Sequence, residues 1–555
     1  MPPQPKTTVA PEPTGGAALL ALAVIVLSFI AVQTIWGRLP NSSDEVWYKA
    51  AGSEWAASGH FAAPELINVF HLNLGVERIF FLFVPIYSFL FGLLVKVVGF
   101  SWRTCMFYDA VITGVLAVLT FLLTDRVTER KLRWVAVAAG LAMIPLTTTG
   151  RPDALGTCLG MVSLLLLGRA PNPRRLRLSG IALGLCAGTS PTCALLFGVI
   201  GLIGFLWQEG DWKLRLSHVV IWGLISVGVL ALVVVPILAP NPWSLPQFFA
   251  NASENIGRET RTLSLTRIVR NLLGVGGDPS DRLLELFAKG ALLVGIVHGA
   301  YEFAAGRGRS WLEYWLGPLV GFGLLFTILG HTPVYHRILA PFFLAGTATA
   351  LVRPGERPRW VTAGLALTLV GSWLASSYPF WRDSFVLLAL PAEQQPAYQA
   401  RHLPRVVPAG SRVLAHDAWF FLASTCRVVD AWWAHPDMDT IDYAVFDTGE
   451  VTWKPDSPTQ SDAGDTWCGS FLIHGAVKDP ERSDLCRRFS VVEDRTNHHY
   501  YSLLGRPIFR RQKGFGCLVL KQVDMLSSAA RADQANSHRA TPPGDSNLGS
   551  QAERR

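Results

Sequence analysis

The sequence predicts an all-α polytopic membrane bundle of about eleven transmembrane helices, followed by a small extracytoplasmic α/β domain. Three observations predict it. Half of the 555 residues are apolar and only 16% are charged, against about a quarter in soluble proteins. The apolar residues fall in runs of roughly 20 without a charge, the length that crosses about 30 Å of hydrocarbon. Beyond Tyr378 such runs stop and short alternating segments replace them.

Residues 1–16, rich in Pro and Thr, read as a disordered cytoplasmic leader. The first apolar run, Ala17–Trp36, is too long for a signal-peptide h-region and no small-x-small cleavage site follows it, so it reads as an uncleaved first helix. A polar stretch from Gly37 to Arg78 comes next. Ile79–Phe100 is apolar but carries Pro85 and Lys96. Further apolar runs cover Thr104–Thr124, Trp134–Thr149, Ala154–Gly168, Leu178–Ser190, Pro191–Trp207, Val219–Ala239, Leu283–Ala304, Leu312–Leu329, Arg337–Val352 and Val361–Ser377. Together 17–377 form the expected transmembrane domain, with outer loops 37–102 and 240–282.

Charge sets the orientation. Short loops hold Arg126, Arg130, Lys131 and Arg133, then Arg169, Arg174, Arg175 and Arg177, then Lys213 and Arg215, then Arg307 and Arg309, then Arg353, Arg357 and Arg359. The positive-inside rule places all of them in the cytoplasm. With the N-terminus inside, this requires Ile79–Phe100 to lie at the outer face without crossing. The alternative lets it cross and fuses Leu178–Trp207 into one helix, which puts eight positives, Arg126 to Arg177, outside. The first arrangement places the chain in the inner (plasma) membrane with the C-terminal domain, 378–525, outside and a disordered tail at 526–555. The net charge of +8 is therefore a topology signal, and nucleic acid is excluded as a partner.

In the C-terminal domain, Ser411–Ala415, Arg427–Ala431, Ile441–Phe446 and Gly514–Lys521 read as strands and Ala418–Ser424 as a helical turn. Cys105, Cys158, Cys186 and Cys193 lie in apolar runs as packing residues. Cys426, Cys468, Cys486 and Cys517 lie in the polar region, which admits one or two disulfides if it is extracytoplasmic.

Two short motifs carry chemistry. Asn41-Ser-Ser-Asp44-Glu45-Val-Trp-Tyr48 sits just after the first helix. Adjacent carboxylates there are not needed for topology, and they can hold a hard cation or take a proton from a hydroxyl; a solvated acidic loop is the bland alternative. Gly150-Arg151-Pro152-Asp153 falls on the same face, where an Arg and an Asp are costly unless paired or functional; a snorkelling ion pair is the bland alternative. His331 and His336 stand at i, i+5 without an evident third ligand, a weak zinc signal. The loop 240–282 carries Arg258, Arg261, Arg267 and Arg270, suited to lipid headgroups or a phosphorylated donor or to a solvated helix.

The Asp44-Glu45 pair, the following Tyr48, then Glu54, Gly59 and Pro64, resemble the membrane glycosyltransferases of the GT-C fold, in the bacterial branch of protein O-mannosyltransferases and aminoarabinose (lipid A) transferases. Arg103 at the opening of the next span, Arg151 with Asp153 at the second outer turn, and Tyr335 with Arg337 before a late span are similar to that family's pattern. The resemblance implies a sugar donor on a polyprenyl phosphate and inverting transfer to a glycan, lipid or protein acceptor. It implies Asp44 as general base, with Glu45 or Asp153 binding a divalent cation or orienting the acceptor. A divalent Mg or Mn ion at Asp44 and Asp153 is a further implication. Arg151, Arg337, Lys49 and Arg78 are the cations it offers for the leaving phosphate, with Tyr335 beside them. A lipid-linked saccharide flippase and a polysaccharide polymerase or ligase are the competing readings. The near absence of acids within spans, Asp109 and Glu302 lying near span ends, weighs against transport.

Overall fold

The computed structural model describes residues 14–37, 44–59, 61, 85–127, 133–147, 150–167, 172–206, 211–238, 317–321, most of 338–348, 359–389, 391–416, 418–430, 440–447 and short strand segments between 451 and 522. Among the described residues the helices of the first half run in order: α1 Thr14–Trp36, α2 Asp44–Ser58, α3 Ile86–Val98, α4 Trp102–Val127, α5 Arg133–Thr147, α6 Pro152–Leu167, α7 Pro173–Ala187, α8 Pro191–Leu206 and α9 Trp212–Leu238. Later come α10 Arg359–Ala389, α11 Pro396–Val406 and α12 Trp419–Leu422.

Among the described residues three helices are long and apolar enough to cross a membrane: Gly16–Trp36, Trp102–Arg126 and Trp212–Pro236. The first and last expose Leu20, Val24 and Leu27, and Leu224, Val227 and Leu232. Apolar faces this extended are stable against lipid rather than water. Ile86–Val98, Arg133–Thr147, Pro152–Leu167 and Pro191–Leu206 are apolar but shorter. At 1.5 Å per residue the 13 residues of α3 extend about 20 Å, less than the hydrocarbon thickness.

The helices pack in chain order, α1 on α4, α4 on α5 and α6, α6 on α7 and α8, α7 on α9, through small residues. A Cβ on Gly160 would meet the Phe197 ring at 2.1 Å, and one on Gly184 the Ser226 carbonyl at 2.5 Å. Hydroxyls complete these seams: Ser163 and Ser179 Oγ lie 2.8 Å apart, and Trp222 Nε1 donates to Ser179 Oγ at 3.0 Å. Close backbones and interhelical hydrogen bonds are what hold helices together where burial of apolar surface gives little. The chain breaks at Gly188-Thr189-Ser190 between α7 and α8, so 178–207 is two helices and not one.

The helix expected to end at Ser377 continues to Ala389. Pro379 and the Arg382-Asp383 pair resemble a helix stop in sequence, but Asp383 is buried and the turn proceeds. After it, among the described residues, come the strands β1 Arg412–Ala415, β2 Arg427–Asp430, β3 Tyr443–Asp447, β4 Val451–Trp453, β5 Thr466–Cys468, β6 Phe471–Ile473, β7 Phe489–Asp494, β8 Ser502–Leu503, β9 Arg506–Pro507 and β10 Cys517–Gln522. The main sheet has the order β2-β1-β3-β10-β7. β1 pairs parallel with β2 and β3, while β10 is antiparallel to β3 and β7. Cys426 is a free thiol, its pKa pushed up by partial burial. The side chains of Cys468, Cys486 and Cys517 lie outside the described residues.

Candidate active site

The two sequence motifs are joined by a buried ionic strap. α2 opens at Asp44, and one turn on, Glu45 and Lys49 lie at i, i+4 with Nζ 3.9 Å from Oε2. Both side chains are fully buried. Lys49 Nζ also donates to Asp109 Oδ2 at 2.9 Å, across to α4. The Tyr87 hydroxyl of α3 lies 2.9 Å from Asp109 Oδ1 and 2.9 Å from the Gly150 carbonyl oxygen. Gly150 sits at φ +51, in the left-handed region that suits glycine, and opens the Arg151-Pro152-Asp153 turn. The Tyr108 hydroxyl donates to the Tyr87 carbonyl at 2.7 Å, fixing α3 on α4.

The helices can come this close because glycine meets glycine. A Cβ on Gly52 would stand 2.1 Å from the Ser88 carbonyl, and one on Gly92 2.5 Å from the Gly52 carbonyl. Tyr48 packs edge-on against Tyr87 at 5.9 Å, and Tyr87 against Tyr108 at 5.1 Å. These rings lie beside the seam in which the ion pairs are buried.

At the second motif, Arg151 Nε donates to Asp153 Oδ2 at 3.3 Å, with both side chains partly exposed. Ser190, from the α7–α8 break, donates to Asp153 Oδ1 at 2.9 Å. Thr157 Oγ1 donates to the Asp153 carbonyl at 2.7 Å. The same break is tied to α3, where the Ile86 amide donates to the Gly188 carbonyl at 3.1 Å. The start of α2, the start of α3, the Gly150–Asp153 turn and the Gly188–Ser190 break therefore meet at one end of the bundle.

The C-terminal sheet reaches this end too. Phe420 of α12 lies with its ring centroid 5.8 Å from Lys49 Nζ, within cation–π reach. His416, just after β1, meets Trp47 edge-on at 6.1 Å, and Trp419 meets Phe100 at 5.0 Å. Opposite, at the α4–α5 and α6–α7 ends, Arg133 pairs with Asp125 at 3.6 Å and Arg126 reaches the Leu165 carbonyl at 3.4 Å.

Lys49 differs from its expected place among phosphate-facing cations. It follows Glu45 by one helical turn, which directs it into the α2–α4 seam, and its ammonium is held there by Asp109. Arg103 is exposed over the Trp102 ring. The Asp44 side chain, and the whole of Arg78, Tyr335, Arg337, His331, His336 and the 240–282 loop, lie outside the described residues. Of the two acids a divalent ion would use, only the Asp153 side chain is described. Both Asp153 carboxylate oxygens already accept hydrogen bonds, and among the described residues no three His, Cys, Asp or Glu side chains converge. Sequence reasoning missed Tyr87, Asp109 and Ser190 as members of the site. Asp109, an acid inside an apolar run, was the one readable signal.

The fold thus defined, a helical membrane bundle in which the segment after α1 packs beside the Gly150–Asp153 turn, is the GT-C fold. The solved structures it resembles include ArnT from Cupriavidus metallidurans. In its apo state the TM-score is 0.53 at 13% identity, covering 92% of this chain and 99% of that one. The same protein bound to undecaprenyl phosphate gives 0.52 at 14% identity with the same coverage. No protein-family model matches the sequence, and no curated protein matches it.

Proposed function

We propose that this chain is a membrane glycosyltransferase that moves a sugar from a polyprenyl-phosphate donor to an extracytoplasmic hydroxyl acceptor, with inversion. One observation carries the reading: the strap from Glu45 through Lys49, Asp109 and Tyr87 to Gly150 draws together the two motifs that sequence alone singles out. The fold likeness to a protein solved with undecaprenyl phosphate bound supports a lipid-phosphate partner.

In this reading Asp44 takes the proton of the acceptor hydroxyl as that oxygen bonds to the anomeric carbon. The bond from that carbon to the phosphate oxygen breaks in line, and the lipid phosphate leaves with the electron pair. Negative charge grows on that phosphate, so a preorganised cation beside it lowers the barrier. Arg151 is suited to this. Asp153, itself braced by Ser190, holds its Nε, and its forked terminal nitrogens match phosphate geometry. Arg337, Arg78 and Tyr335 are the further donor contacts proposed. Glu45, buried against Lys49, orients the start of α2 rather than exchanging protons with the acceptor. The site faces outward, with the N-terminus cytoplasmic and the clustered arginines inside, following the positive-inside rule.

The test is sugar transfer by purified protein in lipid nanodiscs, using radiolabelled undecaprenyl-phosphate sugars. Asp44→Asn is expected to abolish transfer while expression and undecaprenyl phosphate binding persist. Transfer at the normal rate by that variant defeats the proposed base.

A further inference from the structure

The ionic strap poses a question of its own. Three polar side chains, Lys49, Asp109 and Tyr87, are buried where α2, α3 and α4 meet. A buried ion pair gives little or no net stability over well-packed apolar residues of the same volume. What it does give is direction, since each hydrogen bond fixes a distance and an angle. Here each bond crosses from one element to another. Lys49 joins α2 to α4, and Tyr87 joins α3 to α4 and to the Gly150 carbonyl. The Tyr87 hydroxyl has one proton and two acceptors at equal distance. It therefore holds the turn and the carboxylate in register with each other, not either one alone. Gly150, Arg151 and Asp153 follow within three residues, and the Lys49 anchor lies five residues after Asp44.

We propose that Lys49, Asp109 and Tyr87 are positioning residues: they set the separation between the start of α2 and the Gly150–Asp153 turn, so that Asp44 and Arg151 address a single bound donor and acceptor. This deepens the transferase reading and rests on it. None of the three touches substrate in this scheme; they act through the backbone of the two motifs. Phe420, over the Lys49 ammonium, closes the strap from the sheet side and keeps its bonds in a medium of low polarity, where they are stiffest.

The experiment uses the full chain in lipid nanodiscs and three readouts: melting temperature, affinity for undecaprenyl phosphate, and kcat with a panel of radiolabelled undecaprenyl-phosphate hexoses and pentoses. Tyr87→Phe keeps the ring and removes the hydroxyl. Asp109→Asn keeps the shape and removes the charge. Both are expected to lower kcat about 10- to 100-fold, the effect of a misplacement near 1 Å, while undecaprenyl phosphate affinity stays within about threefold because Arg151 remains. Asp109→Glu is expected to recover part of the loss. The deciding variant combines Lys49→Met and Asp109→Leu with Glu45→Gln, so that no charge of the cluster is left buried alone. A neutral replacement of the whole cluster restores packing, so it is expected to melt like the wild type yet stay slow. Wild-type kcat in that triple variant overturns the positioning role and leaves the strap as packing alone. If the wild type moves no sugar from any donor of the panel, the transferase reading itself falls, and the positioning role with it.

Discussion

The two ends of the helical bundle treat charge in opposite ways. At the site end, Lys49, Glu45 and Asp109 are buried and bonded at short range, with Lys49 Nζ and Asp109 Oδ2 only 2.9 Å apart. At the far end, Arg133 and Asp125 stand 3.6 Å apart with 30% and 18% of their side chains exposed. Charges of the second kind orient a chain in a bilayer and contribute little else. Charges of the first kind carry a desolvation cost that only precise pairing offsets. The contrast separates surface charges of the kind that orient a chain in a bilayer from the buried charges proposed here to set where the reactive groups stand.

That contrast can be broken at several points. The largest expected effect is on turnover. Asp44→Asn should cut sugar transfer by about 10²- to 10⁴-fold, the range for a lost general base, measured as kcat in nanodiscs. Next is Lys49→Met alone, which leaves two buried carboxylates facing each other. It should lower stability by about 3–5 kcal/mol, read as a fall in melting temperature. Gly52→Ala pushes a methyl into the Ser88 carbonyl and should cost about 1–3 kcal/mol, with the α2–α3 contact loosened. Ser190→Ala removes one bond to Asp153 and should cost about 1 kcal/mol, with a rise in the Kd for undecaprenyl phosphate as Arg151 loses its brace. Smallest of all, Arg133→Gln at the far end should change stability by less than about 1 kcal/mol and leave kcat unaltered. Equal losses for Lys49→Met and Arg133→Gln would erase the distinction between the two ends.

How much of this was readable beforehand depended on distance along the chain. Asp44 and Glu45 stood out because two acids follow a long apolar run, and Arg151 with Asp153 for the same local reason. β1, β2, β3 and β10 were visible from their alternating or continuous apolar patterns. β7 was not, because its Val491 and Val492 lie half-exposed at the sheet edge and mimic a loop. The strap was hidden for a different reason. Lys49 and Asp109 are 60 residues apart and Tyr87 and Gly150 63 apart, and no periodicity links them. A lysine at i+4 from a glutamate reads as a helix-surface pair, so its burial appears only when α4 is laid beside it.

One contact bears on how the molecule comes into being. Phe420 and His416 close over Lys49 and Trp47, so α2, among the first elements to be made, meets one of the last. A chain cut short before residue 416 would lack both of these aromatic contacts. The cover over Lys49 is therefore complete only once the sheet region has been made.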